Sequence, residues 1–403
     1  MCYRQYIVKY GDKKLTLKFS ILQLSLWSTW CSFLSFAAMY FVKSGYSYTF
    51  AGVALSVAIS CGIAGQIFWG FLCDKIQSIK KVYIMANIIL LISIFTLFRI
   101  MSPLHILIAI GCVGFCQTPL PAVLDSWILN KNVENQLNYG FIRMWAAIGF
   151  SFFGWIIGLG IEKSGYWVMF AFAAVFVVCT VVVSLLTADA AETGAILKHR
   201  NNSHSYVQLF KNKKYLLFLI ACFLIGLGNQ VSDNLRPLIV SDVGGNSGDL
   251  GMVLFLAAVT ELPFFFYSSK IFSRFNARQL FIFSGCAYGI HFLLVAVARS
   301  IAAVAIGMMF QGVAFSVLLP NMRIFAYDNV PEELRTSGQT LTDALFAGLA
   351  GVIASAFGAV IIEYTSVMTL YSICIVFAAV SVGILLSISK KEEKQVQDIS
   401  PKP

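Results

Sequence analysis

Long apolar stretches separated by short polar connections run along almost the whole chain. A hydrocarbon layer about 30 Å thick is crossed by about 20 helical residues. Dividing the chain at charge clusters and at Gly, Pro and Asn turns gives twelve stretches of that length. Their predicted limits are 19–42, 48–73, 82–101, 104–129, 139–161, 166–187, 215–240, 249–272, 279–298, 301–327, 336–362 and 366–388. The pattern predicts an all-α integral membrane protein with twelve transmembrane helices, called spans 1 to 12 below.

One long polar connection divides the spans into six and six. We predict an N-terminal six-helix bundle over 1–187, a cytoplasmic linker over 188–214, and a C-terminal bundle with a short cytoplasmic tail over 215–403. The second part of the linker, 206–214, is a candidate amphipathic helix at the membrane surface.

The two halves also repeat each other. Trp69 falls on Tyr267, and Gly140 on Gly338, at an offset of 198 residues, whereas Pro121 falls on Pro320 at 199. A nearly constant offset through three positions indicates two parallel six-helix repeats.

Composition and charge agree with a membrane protein. Hydrophobic residues make up 59% of the chain and charged residues 12%, and the mean hydropathy is +0.80. These values exclude a soluble enzyme, a nucleic-acid-binding protein and a secreted disulfide scaffold. The cysteines lie mostly inside apolar stretches without a CxxC pair, so we interpret them as small core residues. The polar, basic segment Met1 to Lys18 does not resemble a cleavable signal peptide.

The net charge of +10 is explained by topology. If both termini are cytoplasmic, 22 of the 29 Lys and Arg residues lie in inner segments and four lie in outer loops. Cytoplasmic loops of membrane proteins carry such an excess. The distribution predicts a multi-pass protein of the plasma (inner) membrane with both termini in the cytoplasm.

The connection between spans 2 and 3 carries a recognisable motif. Gly70-Phe71-Leu72-Cys73-Asp74-Lys75, followed by Lys80 and Lys81, resembles the G-x-L-x-D-R/K loop of the major facilitator superfamily. The six-plus-six arrangement extends this resemblance over the chain. The resemblance implies two bundles that rock about a substrate site at the membrane midplane. It also implies a gating loop formed by Gly70, Asp74, Lys75, Lys80 and Lys81.

Each part of this loop has an expected physical role. The glycine should let two helices approach closely, the aspartate should accept hydrogen bonds from a neighbouring helix, and the basic pair should anchor at lipid headgroups. Two departures stand out. Gln77-Ser78 occupies a place where a glycine is usual, and the second half has Phe272 where the aspartate would be.

Two further stretches narrow the resemblance. Asp125, together with Tyr139-Gly140-Phe141-Ile142-Arg143-Met144-Trp145, is similar to the signature of spans 4 and 5 in the group around lactose permease, phenylpropionate permease and nucleoside:proton symporters. The stretch from Pro331 to Leu341 resembles the entry to span 11 in that group. Ala146 and Ala147 depart from the usual Gly-Ser. The resemblance implies proton-coupled uptake of a small polar or aromatic solute, such as a sugar, a nucleoside or an organic acid.

Seven charged residues lie at predicted membrane depth, where a charge costs at least about 2.5 to 3.5 kcal/mol. They are Asp125, Arg143, Asp233, Arg236, Glu261, Arg323 and Asp343. The first two lie at equal depth on adjacent spans and should form a pair, either a structural ion pair or a substrate contact. Arg323 and Asp343 form the corresponding pair in the second repeat. Asp233 and Arg236 share a face near the outer side, as an external gate or a self-paired helix face.

Glu261 differs from the other six because it is predicted near the midplane without a basic neighbour in sequence. A carboxyl group in a low dielectric can be neutral or charged according to which side is open to water, as proton coupling requires. The alternative is a protonated Glu261 hydrogen-bonded to Asn229, Gln230 or Gln311. His291, on span 9, is predicted to be neutral and hydrogen-bonded, and the resemblance implies that this span is peripheral.

Several other side chains are candidates for the substrate cavity or for helix packing. The cavity set offers aromatic faces for a ring and amides for hydroxyl groups: Trp30, Phe115, Gln117, Trp145, Asn229, Gln230 and Gln311. Small residues recur on two spans as packing seams along which the halves should slide. They are Gly52, Ser56, Ser60 and Ala64 on span 2, and Gly351, Ser355 and Ala359 on span 11.

Other functions are less consistent with the sequence. The string from Gly245 to Gly248 matches a G-x-S-G protease motif, but it lies in an outer turn without a partner histidine. No P-loop and no metal-ligand cluster is present in the sequence, so we predict no enzyme and no cofactor, with a proton gradient as the energy source. The predicted partners are a small-molecule substrate, protons and the lipid bilayer, and the chain is predicted to be a monomer.

Within the superfamily, the chief alternative is a proton-antiporting exporter of drugs or metabolites. Such exporters usually carry a Gly-Pro motif on span 5, whereas 141–162 contains no proline. A passive uniporter or a sensor is a second alternative. Glu261 and Asp125 favour coupling, because neutral side chains would suffice for facilitated diffusion.

Overall fold

A computed structural model of the chain describes residues 12–98, 102–135, 137, 139–189, 212–267, 271, 274–331 and 334–399. Most of the predicted linker, together with Phe272, lies outside the described residues.

Twelve helices in the described part of the chain are long and apolar enough to cross a membrane. The predicted all-α architecture of twelve spans is therefore confirmed. Spans 1 to 6 comprise Lys13–Lys43, Tyr48–Ile76, Ile79–Thr96, Pro103–Gln117 with Leu120–Asn135, Tyr139–Ser164, and Trp167–Leu185. Spans 7 to 12 comprise Lys213–Asn234 with Arg236–Asp242, Ser247–Phe266, Ala277–Ala296, Ile301–Asp328, Arg335–Asp343 with Ala344–Leu349 and Ala350–Tyr364, and Val367–Ile399.

Several spans begin at a side chain that caps the helix. Spans 3, 4, 7, 9 and 10 start after Ser78, Ser102, Asn212, Asn276 and Ser300, and each of these side chains accepts a hydrogen bond from a backbone N–H in the first turn. The first N–H groups of a helix have no partner within the helix, so these residues fix where each span begins.

Span 4 is interrupted at Thr118 because two prolines follow closely. Pro119 has no N–H, so the carbonyl oxygen of Phe115, four residues earlier, loses its helical partner. The indole Nε1 of Trp69 donates to that oxygen at 3.0 Å. A side chain of span 2 thereby satisfies a backbone group that the sequence of span 4 leaves free.

Span 7 is interrupted in the same way, close to its predicted outer end. The first helix ends at Asn234, and Leu235 separates it from the short helix that begins at Arg236. Pro237 stands near the start of that second helix, where a missing N–H is tolerated, and its ring is incompatible with the carbonyl of Asp233 in a continuous helix. Two predicted functional residues, Asp233 and Arg236, therefore flank the break.

Span 11 contains a π-helical segment, Ala344–Leu349, between two α-helical parts. Span 7 packs directly against it, because a Cβ built on Gly226 would lie 2.6 Å from the carbonyl oxygen of Phe346. Segments of this kind are rare and often stand at functional sites. Here the segment begins directly after Asp343.

The contacts of the chain group into two units. The first comprises Met1–Ser35 and Ala58–Lys198, and the second comprises Phe36–Val57 and His199–Pro403. Spans 2 and 4 pack closely in the first unit, since Cβ atoms on Gly65 and Gly114 would lie 2.1 Å and 2.0 Å from backbone carbonyl oxygens. Only glycine permits this distance between helices.

In the second unit, the start of span 2 packs against span 11 through small residues. A Cβ on Gly52 would lie 2.2 Å from the Cβ of Ala359 and 2.3 Å from the carbonyl oxygen of Ser355. Ser56 Oγ donates to the carbonyl oxygen of Val352 at 2.9 Å. These contacts join members of the two predicted small-residue seams, while sliding along them stays a prediction.

Candidate functional site

A network of polar side chains joins spans 7, 9 and 10 in the second unit. We call it the second-unit cluster; it consists of Asn229, Asp233, Arg236, Tyr288 and Gln311. Arg236 donates to Asp233 Oδ1 at 2.8 Å and to Gln311 Oε1 at 3.1 Å. Gln311 Nε2 donates to Asp233 Oδ1 at 2.9 Å and to Asn229 Oδ1 at 3.1 Å. The Tyr288 hydroxyl donates to Asn229 Oδ1 at 2.9 Å.

The carboxylate of Asp233 is the acceptor on which these bonds converge. Asn229 Nδ2 donates to its Oδ2 at 2.9 Å, in addition to the bonds from Gln311 and Arg236. All three partners donate, so the arrangement suits an ionised carboxylate. The predicted pairing of Asp233 with Arg236 is present, and its role in transport stays a prediction.

Arg236 keeps unused hydrogen-bonding capacity. Its side chain is only 7% exposed, and its Nε is buried without a hydrogen-bond partner among the described residues. A guanidinium group in such a setting costs free energy unless its donors are satisfied. This Nε is therefore a donor available to a water molecule or to a bound solute.

Glu261 lies on span 8, beside the second-unit cluster. A Cβ on Gly312, the residue after Gln311, would lie 3.3 Å from Glu261 Cγ. The charged groups that act on Glu261 are Asp233 and Arg236. Among the described residues, no hydrogen bond or salt bridge reaches its carboxyl group.

The amides proposed as alternative partners of Glu261 are engaged elsewhere. Asn229 and Gln311 donate to Asp233, and Gln230 Oε1 accepts from Asn234 Nδ2 at 3.3 Å. The alternative of a protonated Glu261 bonded to one of these amides is therefore not what the structure shows.

The predicted pair between spans 10 and 11 is also formed. Arg323 lies 3.3 Å from Asp343 Oδ2, and the two side chains are 54% and 42% exposed. Pairs this open to their surroundings contribute little to stability. A role in gating or coupling stays a prediction.

In the first unit, the predicted direct pair of Asp125 and Arg143 is not formed. Gln23, on span 1, lies between them: its Nε2 donates to Asp125 Oδ1 at 2.7 Å, and its Oε1 accepts from Arg143 at 3.5 Å. The guanidinium carbon of Arg143 also lies 4.8 Å from the ring centre of Trp27, a cation–π contact. We call Gln23, Trp27, Asp125 and Arg143 the first-unit cluster. An amide with both a donor and an acceptor can bridge opposite charges that do not touch.

The other predicted cavity residues of the first unit divide into two kinds. Trp30 stacks on Trp27 with ring centres 5.8 Å apart, and Phe115 packs against Phe68 and Trp69. These two take part in ring packing. Gln117 is fully buried, and neither its amide nitrogen nor its oxygen has a partner among the described residues.

Two indole N–H groups are also buried without a hydrogen-bond partner in the described part of the chain, as the amide of Gln117 is. They are Nε1 of Trp27 and Nε1 of Trp145. Buried polar groups are nearly always bonded to protein, water or ligand. The first unit therefore offers unused donors and acceptors on spans 1, 4 and 5.

The predicted gating loop differs from expectation at two positions. A Cβ on Gly70 would have no heavy atom of the described residues within 4 Å, so the close helix approach expected there is not found in that part of the chain. Lys80 does not extend to the headgroups, because its Nζ donates to the carbonyl oxygens of Leu185 and Thr187, both at 2.8 Å, at the end of span 6. A cation there also complements the helix dipole.

Asp189, rather than Asp74, supplies the carboxylate that stabilises this loop. Its Oδ1 accepts from the backbone N–H of Lys80 at 3.0 Å, and its Oδ2 accepts from the Ser78 hydroxyl. Among the other predicted loop residues, Lys75 lies 6.0 Å from the Phe71 ring centre, and the N–H of Lys81 donates to Ser78. The backbone oxygen of Asp74 accepts from Gln77.

Sequence reasoning missed Tyr288, Gln23 and Trp27. Tyr288 lies on span 9, which the family resemblance implies is peripheral, yet its hydroxyl enters the second-unit cluster. Gln23 and Trp27 stand one turn apart on span 1, a polar and an amphipathic residue on one helix face, and this spacing was an available signal. No group of three His, Cys, Asp or Glu side chains that could hold a metal ion occurs among the described residues.

Comparisons with known proteins agree with this architecture. Residues 16–373 match the model of the MFS_1 like family, where MFS denotes the major facilitator superfamily. The Bacillus subtilis (strain 168) transporter YwbF is 23% identical over 90% of this chain and 91% of its own length. The maltose permease of Geobacillus stearothermophilus is 23% identical over 82% of this chain and 83% of its own.

A nucleoside permease is similar in both sequence and structure. NupG of Escherichia coli (strain K12) is 22% identical over 92% of this chain and 93% of its own length. The crystal structure of the nucleoside transporter NupG superposes with a TM-score of 0.80 at 18% identity, covering 93% of this chain and 98% of that one. The structural likeness shows the fold, and the family match covers most of the chain. The chain belongs to the MFS_1 like family and is a membrane transporter, not an enzyme.

Proposed function

We propose that this transporter is a proton-coupled symporter that imports a small, polar, uncharged solute by alternating access. The observation that supports this most is the contrast between two carboxyl groups in the second unit. Asp233 accepts three hydrogen bonds, whereas Glu261, close to the same cluster, accepts none from the described residues. The two groups are suited to different tasks.

Asp233 is the fixed anion of this pair of carboxyl groups. Protonating it would place a hydrogen where three donors already point, so the network would have to break. Glu261 can gain or lose a proton without breaking a hydrogen bond to a described residue. We assign the transported proton to Glu261, with Asp233 and Arg236 as the charges that respond to it.

The charges favour an uncharged substrate over an organic acid. The positive charge of Arg236 is already paired with the carboxylate of Asp233. An anionic substrate would therefore find no unpaired cation in the second-unit cluster, and it would also lie near the carboxyl group of Glu261. In the second unit, the unused Nε of Arg236 suits a hydroxyl or carbonyl group. In the first unit, taken by itself, the unused donors and acceptors of Gln117, Trp27 and Trp145 suit the same groups. Sugars and nucleosides have such groups, and two of the relatives are named for maltose and nucleosides.

We also propose that the chain acts as a monomer in the plasma membrane, with both termini in the cytoplasm, as the distribution of Lys and Arg predicts. Proton-driven export and passive exchange are the alternatives, and the experiment below separates them from symport.

The test begins with purified protein and a thermal-shift screen against maltose, uridine and phenylpropionate. A solute that raises the unfolding midpoint is then followed in proteoliposomes, by counterflow and by uptake driven by an inward pH gradient. In the parent, we expect a ligand from the first two compounds and uphill uptake. Glu261→Gln should keep counterflow and lose uphill uptake, because the amide cannot release a proton.

Asp249→Asn serves as the matched control, since Asp249 is on the same span but bonds to the backbone N–H of Asn246 at the helix start. It should retain both activities. Uphill uptake that survives in Glu261→Gln would contradict the assignment of the proton. Parent protein that only equilibrates the solute would identify a uniporter, and efflux driven by the gradient would identify an exporter.

A further inference from the structure

A second layer of hydrogen bonds lies directly behind the second-unit cluster. His291 on span 9 and Ser232 on span 7 are fully buried, and His291 Nε2 lies 2.7 Å from Ser232 Oγ. His291 Nδ1 lies 2.8 Å from the carbonyl oxygen of Gly307 on span 10. The hydroxyl of Tyr371 on span 12 lies 3.1 Å from Ser232 Oγ. One histidine thus links spans 7, 9 and 10, and the serine adds span 12.

The chemistry of the partners fixes the direction of these bonds. A carbonyl oxygen only accepts, so Nδ1 of His291 carries a hydrogen and donates to Gly307. In the neutral ring Nε2 is then an acceptor for the hydroxyl hydrogen of Ser232, at 2.7 Å, in competition with the carbonyl oxygen of Gly228, which lies 3.1 Å from Ser232 Oγ. Tyr371 in turn donates to Ser232 Oγ. These contacts show the hydrogen-bonded histidine that the sequence predicts, and its neutral state stays a prediction.

The two layers use the same three spans at closely matched positions. Ser232 immediately precedes Asp233 on span 7, His291 follows Tyr288 by three residues on span 9, and Gly307 precedes Gln311 by four residues on span 10. Residues three or four apart on a helix are neighbours on its surface. The His291 layer is therefore next to the layer that holds the Asp233 carboxylate.

The helix of span 7 is interrupted close to this point. The first helix ends at Asn234, so Ser232 and Asp233 lie in its last turn, and Pro237 prevents a continuous helix beyond it. The N–H of Leu235 still donates to the carbonyl oxygen of Val231 at 3.0 Å, so the turn keeps its own backbone bonds, and contacts of its side chains add to what sets its rotation against spans 9 and 10. Each residue corresponds to about 100° of rotation, so a modest turn would carry the Asp233 carboxylate away from Gln311.

We propose that His291 is a positioning residue for the Asp233–Arg236 pair, acting through its hydrogen bond to Ser232. It fixes the rotation of the last turn of span 7 and so keeps Asp233 facing Gln311 and Arg236. This inference rests on the proposed function for one point only, namely that the Asp233–Arg236 pair takes part in transport. The positioning of the pair by His291 is a property of the folded chain and can be tested without transport.

Two substitutions at His291 separate the two ring nitrogens. In His291→Asn the amide nitrogen can replace Nδ1 and keep the bond to Gly307, but nothing reaches Ser232. In His291→Gln the amide oxygen can replace Nε2 and keep accepting from Ser232, while the bond to Gly307 is lost. Positioning through Ser232 predicts that the Gln variant resembles the parent and that the Asn variant does not.

The measurement is the thermal unfolding midpoint of the purified full chain in detergent, without substrate or gradient. Each variant is made in the parent and in the Asp233→Asn/Arg236→Gln background, in which the pair has no charge. We expect His291→Asn to lower the midpoint of the parent by about 1 to 4 °C. In the Asp233→Asn/Arg236→Gln background, the decrease in midpoint caused by His291→Asn should be about half of that in the parent or less, because no ion pair remains that a displaced Asp233 side chain could disrupt. His291→Gln should show a small loss in both backgrounds.

Ser232→Ala removes the same hydrogen bond from the other side with a smaller change in volume. Ser232→Ala should also lower the midpoint more in the parent than in the neutral background. If His291→Asn does not fold, Ser232→Ala alone tests the proposal. Equal losses in both backgrounds would reduce His291 to a packing residue and overturn the proposal, as would a Gln variant as damaged as the Asn variant. Proton coupling enters neither result, so failure here and failure of the proposed symport are distinguishable.

Discussion

Two glycines five residues apart on span 2 allow a test of how closely this protein packs. A Cβ on Gly65 would lie 2.1 Å from the carbonyl oxygen of Phe115 and 2.9 Å and 3.1 Å from two further backbone atoms of that residue. On Gly70 the same Cβ would meet no heavy atom within 4 Å. We predict that Gly65→Ala destabilises the protein and that Gly70→Ala does not.

The size of the effect follows from the geometry. An ordinary contact begins at 3.4 Å, so spans 2 and 4 must separate by about 1.3 Å to admit the methyl group of Gly65→Ala. The atoms that resist are backbone atoms, which cannot turn aside as the end of a long side chain can. The movement also stretches the bond from Trp69 to Phe115. Overpacking of this kind costs about 1 to 3 kcal/mol, or a fall of about 1 to 4 °C in the unfolding midpoint of a chain of this length.

Gly70→Ala adds its methyl group to open space in a helix. Replacing glycine by alanine where the backbone is already helical usually stabilises by about 0.4 to 1 kcal/mol, because the unfolded chain loses freedom. The assay is thermal unfolding in detergent, with fluorescence-detected size-exclusion chromatography to verify that each variant is monodisperse. Equal midpoints for the two variants, or a larger loss in Gly70→Ala, would refute the close packing of spans 2 and 4.

Two further predictions concern side chains in the first unit. Gln77 has a φ of +57°, a left-handed conformation that disfavours side chains, so Gln77→Gly should raise the unfolding midpoint by about 1 to 3 °C and Gln77→Val should lower it. A lower midpoint for the glycine variant would count against a strained Gln77. Gln23→Leu removes the bridge between Asp125 and Arg143, so the variant should lose stability, measured as the unfolding midpoint. Asp125→Asn should cause a smaller further loss in that variant than in the parent, and an undiminished loss would show that Gln23 does not mediate between the charges.

The sequence predicted the spans well because hydrophobic length is a strong signal in a membrane protein. Burial in lipid forces each backbone polar group to bond within a helix, so apolar runs of about 20 residues have few alternatives. It did not predict the breaks in spans 4 and 7, although Pro119 and Pro237 were visible. The predicted limits treated each run as continuous, whereas a proline removes one hydrogen bond and displaces the next turn.

The seven charged residues at predicted membrane depth all lie in helices, but their partners were predicted unevenly. Asp233 with Arg236 needed only the spacing of one helix, and that pair is present. Asp125 and Arg143 required the relative position of two helices, and Gln23 from a third helix stands between them. Hydropathy carries no information on which polar side chain of a distant span completes a network, so Tyr288 could be found only from the fold. For Gln23 the spacing to Trp27 indicates a shared helix face, and the fold alone identifies its partners.

The loop between spans 2 and 3 shows how a family motif can keep its place while its contacts differ. Gln77 adopts the left-handed backbone conformation for which the usual glycine is suited, and its Nε2 donates to the carbonyl oxygen of Asp74. The departure in sequence therefore does not remove the turn. Asp189, from beyond span 6, supplies the carboxylate that caps span 3.

The π-helical segment of span 11 changes how the two repeats should be aligned. Its hydrogen bonds span five residues instead of four, so Ala344–Leu349 holds about one residue more than an α-helix of the same length. Gly140 and Gly338, before the segment, match at an offset of 198. The extra residue predicts an offset of 199 beyond the segment, which would place Trp155 of span 5 on Ala354 and not on Ile353. An ungapped alignment would compare side chains about 100° apart around the helix, so symmetry-related substitutions in this half of span 11 need a single-residue gap.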